Sequence, residues 1–349
     1  MIFRSRIPVT VLTGFLGAGK TTTLRHLLTA AHGRRLALVI NEFGELGVDR
    51  ELLLGCGIAG CREDDVIELA NGCICCTVAD DFLPTIETLI DRADPPDHIV
   101  IETSGLALPK PLVKAFAWPE VRSRVTVDGV IALIDASALA AGRFTDDPAA
   151  TATRRGGDQA PQHDNPLAEV FDDQLACADL VILNKTDRIT PEAVDILAAA
   201  LGRRLRPGVK LLRARFGEVD TSVLLGIGAA AEGDLASRPS FHESDGEAHD
   251  HDDFESFTLP IGPIAAPDAL MSRLADVVAR HDILRVKGFL DVPGKAMRLA
   301  LQGVGPRIER YFDRPWAADE RRASTLVVIG RKGLDQRAIA AALAGSRTD

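Results

Sequence analysis

The chain has no basic excess: 40 Lys and Arg residues face 50 Asp and Glu, a net charge of −10 over 349 residues. Neutralising phosphates needs the opposite sign, so a general nucleic-acid binder is disfavoured. Cysteine is scarce, with six residues, five of them between 56 and 76, too few and too clustered for a disulfide framework in a chain this long. The thiols fit a reducing compartment, and the chain reads as cytoplasmic. No apolar run reaches the ~18 residues of a membrane span. The longest candidate, residues 127–142, is interrupted by Asp128 and Asp135. The start, MIFRSR followed by IPVTVLTGFLGAG, imitates a signal peptide but runs into GKTTT without a small-residue cleavage pattern. No internal repeat is visible. The remainder, 46% apolar and 26% charged, is ordinary for a globular protein long enough for two domains.

Short apolar runs alternate with helical patterns through the first two-thirds. Strands are predicted at 7–12, 36–40, 97–101, 129–134, 179–183 and 209–212. They are almost continuously apolar, as in strands covered on both faces. Helices are predicted at 21–31, 78–92, 107–116, 167–177 and 191–201. The alternation argues for an α/β fold, a P-loop NTPase domain with a mostly parallel sheet, followed by a smaller α+β domain. The boundaries expected are 1–225, a flexible acidic and His-containing linker at 226–253, and 254–349. Residues 145–166 read as a mobile loop. In the small domain, RIERYF reads as helix-like between strands MRLALQGVG and STLVVIG.

Gly14-Phe-Leu-Gly-Ala-Gly-Lys20-Thr21 matches G-x-x-x-x-G-K-[ST] between a predicted strand and a predicted helix. Gly14, Gly17 and Gly19 let backbone N–H groups face phosphates. Lys20 is expected to bridge the β and γ oxygens, and the Thr21 hydroxyl to ligate Mg²⁺. Ala18 and Thr22 complete the stretch expected to touch the nucleotide, with the helix N-terminus behind them. Asn184-Lys185-Thr186-Asp187 follows an apolar strand and points to guanine. The Asp187 carboxylate can accept from guanine N1–H and the 2-amino group, which adenine lacks. Lys185 can lie over the base, and Asn184 can tie its loop to the phosphate loop. The bland alternative is a surface turn.

Ile99-Val-Ile-Glu102-Thr-Ser-Gly105 ends a strand with an acid and then a glycine that can approach a γ-phosphate. Glu102 is a candidate second Mg²⁺ contact or water-orienting group. Asn41-Glu42-Phe43-Gly44-Glu45 is a second switch candidate. Between them, Cys73, Cys75 and Cys76 offer soft ligands for Zn²⁺, Co²⁺ or Cu⁺ on one turn. Three sulfurs leave a tetrahedral site open to exchange. A redox pair, or small buried residues in a tight turn, are the alternatives. Cys56 and Cys61 could form an auxiliary site, a redox pair or nothing. Cys177 reads as core. His242, His249 and His251 read equally as a weak metal tract or a solvated linker, and His26, His32, His98, His163 and His281 as ordinary surface or loop residues.

The stretches VTVLTGFLGAGKTT, ALVINEFGELGVD, ELANGCICCTV, IVIETSGLALP and LNKTD, in this order, resemble the CobW family of metal-trafficking P-loop GTPases. RVKGFL and LVVIG are similar to that family's smaller C-terminal domain, less distinctively. The segment GCGIAGCREDDVIELANGCICCTVADDF is most similar to the branch that gives the family its name, tied to cobalt supply for aerobic cobalamin synthesis. Other branches handle zinc or serve nitrile hydratase. The resemblance implies a GTP-hydrolysing metallochaperone. Mg²⁺-GTP would gather Cys73, Cys75 and Cys76 around Co²⁺ or Zn²⁺, with a lesser contribution from Glu42. Hydrolysis would release the metal to a client metalloenzyme, expected to be the cobaltochelatase of corrin synthesis. A zinc chaperone is the runner-up. A GTP-binding metal sensor or buffer, and a P-loop ATPase or small-molecule kinase, are rivals from other classes.

Overall fold

The computed structural model describes residues 6–31, 33–41, 65–69, 82–142, 166–240, 254–281, 283–305, 307–317 and 320–344. They fall into two compact units, the first ending by residue 240 and the second starting at 254.

The first unit is built on seven strands: β1 (Ile7–Gly14), β2 (Leu36–Asn41), β3 (Val66–Leu69), β4 (His98–Glu102), β5 (Val125–Asp135), β6 (Leu180–Asn184) and β7 (Lys210–Arg213). Their order is β3-β2-β4-β1-β5-β6-β7, and every pairing is parallel. Both faces are covered, and β2, β4 and β6 are buried at every residue. The helices are α1 (Lys20–Ala30), α2 (Leu83–Ile90), α3 (Pro109–Ala115), α4 (Ala136–Ala140), α5 (Pro166–Cys177), α6 (Pro191–Gly202) and α7 (Thr221–Leu224). The chain leaves β1 toward β2 on one side and later reaches β5 on the other. The strand order therefore reverses at β1, the usual place for a ligand crevice beyond the carboxyl ends of strands.

Two expectations from the sequence fail in this unit. His98 is not a surface residue: it opens β4 and is 4% exposed. Its Nε2 lies 2.8 Å from Thr10 Oγ1. Burial pushes its imidazole down to about 4, Asp128 acting the other way and Arg34 in the same direction. The folded pKa is below the unfolded one, so the unfolded chain takes up the proton first as pH falls. Stability from this residue is full above pH ~6.5 and is lost toward pH ~4, roughly 2 kcal/mol of it by pH 5. Urea midpoints for wild type and His98→Gln should therefore diverge in slope between pH ~7.5 and ~5, the wild type falling more steeply. Parallel slopes would remove this residue from the acid response.

The second failure is at 226–240, expected to begin a flexible linker. These residues pack along β5. Asp128, which seemed to break an apolar run, accepts from the N–H groups of Gly226 (2.7 Å), Ile227 (3.0 Å) and Gly228 (2.9 Å). Three backbone donors compensate a carboxylate inside a strand. Gly129 makes room for this segment, because a Cβ there would sit 2.7 Å from the Ile227 side chain. Further on, Glu232 accepts from Thr126 Oγ1 and Val127 N. Arg238, 1% exposed, forms a bidentate pair with Asp179 at 2.7 and 3.2 Å and donates to Cys177 O. Residues 241–253, with the histidine tract, lie outside the described residues.

The second unit holds β8 (Phe254–Ile261), α8 (Pro267–Arg280), β9 (Ile283–Leu290), β10 (Met297–Val304), β11 (Arg307–Pro315), β12 (Ser324–Arg331) and α9 (Gln336–Ala344). Its sheet is antiparallel in the order β11-β10-β9-β12-β8. Leu270, Leu274 and Val277 of α8 and Ile339 and Leu343 of α9 pack on Val286, Leu299, Leu301, Leu326 and Val328. RIERYF, expected to be helix-like, forms the first six residues of strand β11. It pairs with β10, Glu309 opposite Gln302 and Tyr311 opposite Ala300. Arg298 of β10 adds a long-range tie: fully buried, it donates to Asp313 at 2.7 Å and lies 3.5 Å above the Phe289 ring. Sheet pairing and a buried ion pair decide the outcome.

Candidate functional site

The carboxyl ends of β1, β4, β5 and β6 bring together Gly14, Glu102, Asp135 and Asn184. Gly14, at φ 137°, turns out of β1 so close to β5 that a Cβ would lie 2.3 Å from Leu133 O. Gly17 and Gly19 also have positive φ, 72° and 107°. At Gly19 a Cβ would meet Asn184 Nδ2 at 2.5 Å, so the neighbouring loop excludes every other residue there. The Ala18 N–H closes the turn on Phe15 O at 3.1 Å, and the chain then enters α1. The first N–H groups of α1 have no partner within the helix and form a positive rim. Lys20, 5% exposed, donates from Nζ to Gly14 O at 2.7 Å and reaches Phe15 O at 3.4 Å. Thr21 stands beside it, partly buried, and Thr22 is exposed.

Glu102 is buried at the end of β4, and Thr21 Oγ1 donates to its Oε1 at 3.5 Å. Thr103 ties the exit of β4 to β1, through its N–H on Leu12 O at 3.0 Å and its hydroxyl on Thr13 Oγ1 at 2.9 Å. Gly105 then presses on the phosphate loop, where a Cβ would be 2.7 Å from Leu16 N.

On the other flank, Asn184 bridges two loops, as its sequence context suggested. Its Nδ2 donates to Ala18 O at 2.9 Å, and its Oδ1 accepts from Gly217 N at 3.0 Å. Lys185 is left-handed, φ 58°, and its Nζ reaches Gly17 O at 2.6 Å and Asp135 Oδ2 at 3.0 Å. Asp187 sits exposed on a 3₁₀ turn, Thr186–Arg188. Thr186 anchors that turn, both N–H and hydroxyl bonding Ala214 O.

Two members of this site were missed in the sequence. Asp135 was noted only as an interruption. It caps α4 through Ser137 N at 2.9 Å and Ala138 N at 3.1 Å while pairing with Lys185. Its position at a strand end, one step before a helix, was the available signal. Gly217, at φ 72°, lies over the first turn of α1, where a Cβ would meet Thr23 Oγ1 at 2.7 Å. Nothing local marked it.

The expected metal ligands Cys73, Cys75, Cys76 and Glu42 lie outside the described residues, as do Cys56 and Cys61. Among the described residues no three His, Cys, Asp or Glu side chains gather as metal ligands. Cys177 is buried, as expected of a core residue, and burial pushes its thiol up to about 11, which keeps it protonated and inert. Among the described residues no helix is long and apolar enough to cross a membrane.

A glycine-rich turn beside an N-K-x-D loop on a parallel sheet is shared by many nucleotide-binding proteins, and comparison narrows the choice. Residues 8–213 match the model of the CobW/HypB/UreG nucleotide-binding domain. The chain belongs to the CobW/HypB/UreG family. Residues 254–347 match a second model, the cobalamin synthesis protein cobW C-terminal domain, so both units of this CobW-family chain are accounted for. A protein of Sinorhizobium sp. named zinc chaperone CobW is 53% identical over 97% of each chain. One of the same name from Pseudomonas aeruginosa is 52% identical over 96% of this chain and 90% of its own. Zinc chaperone YjiA of Escherichia coli is 33% identical over 98% of this chain and 99% of its own.

Proposed function

We propose that this CobW-family GTPase is a metallochaperone that carries Zn²⁺ on Cys73, Cys75 and Cys76 and surrenders it to a client metalloenzyme as GTP is hydrolysed. The observation that carries the nucleotide half is the convergence of Lys20, the α1 N-terminus, Glu102 and Gly105 beyond the carboxyl ends of β1 and β4. Lys20 would reach the β and γ oxygens, and the N–H groups of residues 17–22 would cradle the phosphates. Thr21 and Glu102, whose hydroxyl and carboxylate lie 3.5 Å apart, would hold a Mg²⁺ ion. When bound, it would offset the charge that develops on the phosphoryl oxygens. Glu102 would then orient the attacking water, and Asp187 would select guanine.

The cargo half rests on the sequence. The cysteine turn lies between the two stretches expected to respond to the γ-phosphate, so nucleotide state can govern how closely the sulfurs approach. Relatives named zinc chaperones favour Zn²⁺ as cargo. The C-terminal family model favours a second reading, in which the cargo is Co²⁺ for a cobalt-inserting chelatase of corrin synthesis. Thiolates accept both ions, and Zn²⁺ binds such a site at least as tightly, so affinity alone does not separate them.

Titration of the metal-free protein with Co²⁺, followed by thiolate charge-transfer absorption, tests the gate. A non-hydrolysable GTP analogue with Mg²⁺ is expected to tighten binding by about tenfold, roughly 1.4 kcal/mol of coupling. Identical curves with and without the analogue would reject gating. Single-turnover hydrolysis excludes a mere sensor, and competition by ATP would reinstate the kinase reading. Growth of a deletion strain separates the cargoes: a defect confined to scarce zinc supports the first, and one in cobalamin synthesis under scarce cobalt the second.

A further inference from the structure

Gln174 stands on α5, about 70 residues from the nearest γ-phosphate motif in sequence, yet its side chain is 2% exposed. Its Nε2 donates to Gly105 O at 3.3 Å and to Ala107 O at 3.1 Å. Both carbonyls belong to the loop that leaves β4 beyond Glu102. On its other side the same loop bears on the phosphate loop, where Gly105 has no room for a Cβ next to Leu16 N. One side-chain amide and one stretch of backbone thus clamp the Gly105 peptide between them. The amide is itself well anchored. Its neighbour Asp173 accepts from Ser240 Oγ at 2.8 Å, and the end of α5 is gripped by Arg206, Nε to Ala176 O at 2.7 Å, and by Arg238 at Cys177 O.

We propose that Gln174 is the positioning residue that sets the Gly105 loop against the γ-phosphate of GTP, so that GTP and GDP are told apart through an amide that touches neither. The inference rests on the GTP reading above. A carbonyl and the N–H that follows it share one rigid plane, so fixing Gly105 O and Ala107 O fixes the directions of the Leu106 and Leu108 N–H groups. GDP presents nothing to this loop. The contribution of Gln174 is therefore confined to the triphosphate.

The test measures binding of GDP and of a non-hydrolysable GTP analogue, each with Mg²⁺, to the full-length wild type, Gln174→Met and Gln174→Glu. The Met variant keeps the side-chain volume and loses the donor. It should bind the analogue about tenfold more weakly and GDP within about twofold of wild type. In the Glu variant an ionised carboxylate repels two carbonyls, whereas the protonated acid donates to one of them. Its affinity for the analogue should therefore recover as pH falls from about 8 to about 6, a range over which the wild type stays level. Equal losses for both nucleotides, or an unchanged ratio, overturn the proposal. If the Met variant does not fold, the Glu profile decides alone, and a profile parallel to wild type overturns it. A wild type that binds neither nucleotide overturns the GTP reading itself.

Discussion

Lys20→Ala is expected to lower GTP turnover by about 10³-fold while leaving the fold intact. Charge-assisted hydrogen bonds to phosphate are each worth about 1.5–3 kcal/mol, and one ammonium reaching β and γ oxygens makes two of them. Their combined loss, about 4 kcal/mol, corresponds to that factor. The geometry supports a large value. Lys20 is buried at the mouth of a loop whose carbonyls at Gly14 and Phe15 hold its Nζ, so it meets an incoming phosphate already placed. Lys20→Arg should not rescue it, because a planar guanidinium is too broad for a cradle lined by Gly14, Gly17 and Gly19. The variant also tests the coupling. It should still bind Zn²⁺ in the absence of nucleotide, but the tightening by a GTP analogue should vanish. Turnover within about tenfold of wild type would remove Lys20 from the chemistry. Thermal melting of both proteins separates this outcome from misfolding.

The glycine-rich turn between β1 and α1 was legible in the sequence because its geometry is local. Gly14, Gly17, Gly19 and Lys20 act on one another over seven residues, and their spacing alone implies the turn. The parallel sheet was legible for a similar reason, since strands covered on both faces, such as β2 and β6, are unbroken apolar runs. What stayed hidden acts across the chain. Gln174 takes its meaning from carbonyls 67 and 69 positions away. Arg238 does so from Asp179, 59 positions away. Asp128 is the same case in reverse. Alone it argues against a strand, and with three N–H donors from 226–228 it belongs inside one. His98 misled because an imidazole is commonly exposed, and its partner, the hydroxyl of Thr10 on the adjacent strand, is far away in sequence. β3 was missed because four residues at a sheet edge, Val66–Leu69, carry too little pattern to stand out. The cysteine turn is the converse case, since its reading rests on spacing and donor chemistry.

Asp187→Asn is expected to weaken GTP binding by about 10²–10³-fold and to reverse the preference between GTP and xanthosine triphosphate. A carboxylate is acceptor-only, and guanine offers it two donors, N1–H and the 2-amino group. Asparagine replaces one acceptor with an N–H₂ that faces a donor. Two charge-assisted bonds are lost and a donor is left without an acceptor, about 3–4 kcal/mol together. Xanthine carries a carbonyl where guanine carries the amino group, which is what the new N–H₂ requires. The surroundings favour a clean swap, because the frame is held by groups other than the carboxylate. Asp187 is exposed, Thr186 holds its turn through Ala214 O, and Lys185 is fixed by Gly17 O and Asp135. The phosphate contacts proposed for Gly105 and Lys20, on the far side of the crevice, should be the same for xanthosine triphosphate as for GTP. Competition binding with GTP, ATP and xanthosine triphosphate reads the outcome. An Asn variant that keeps its preference for GTP would mean that some other group reads the base, and the guanine assignment would then have to move to the loop around Gly217.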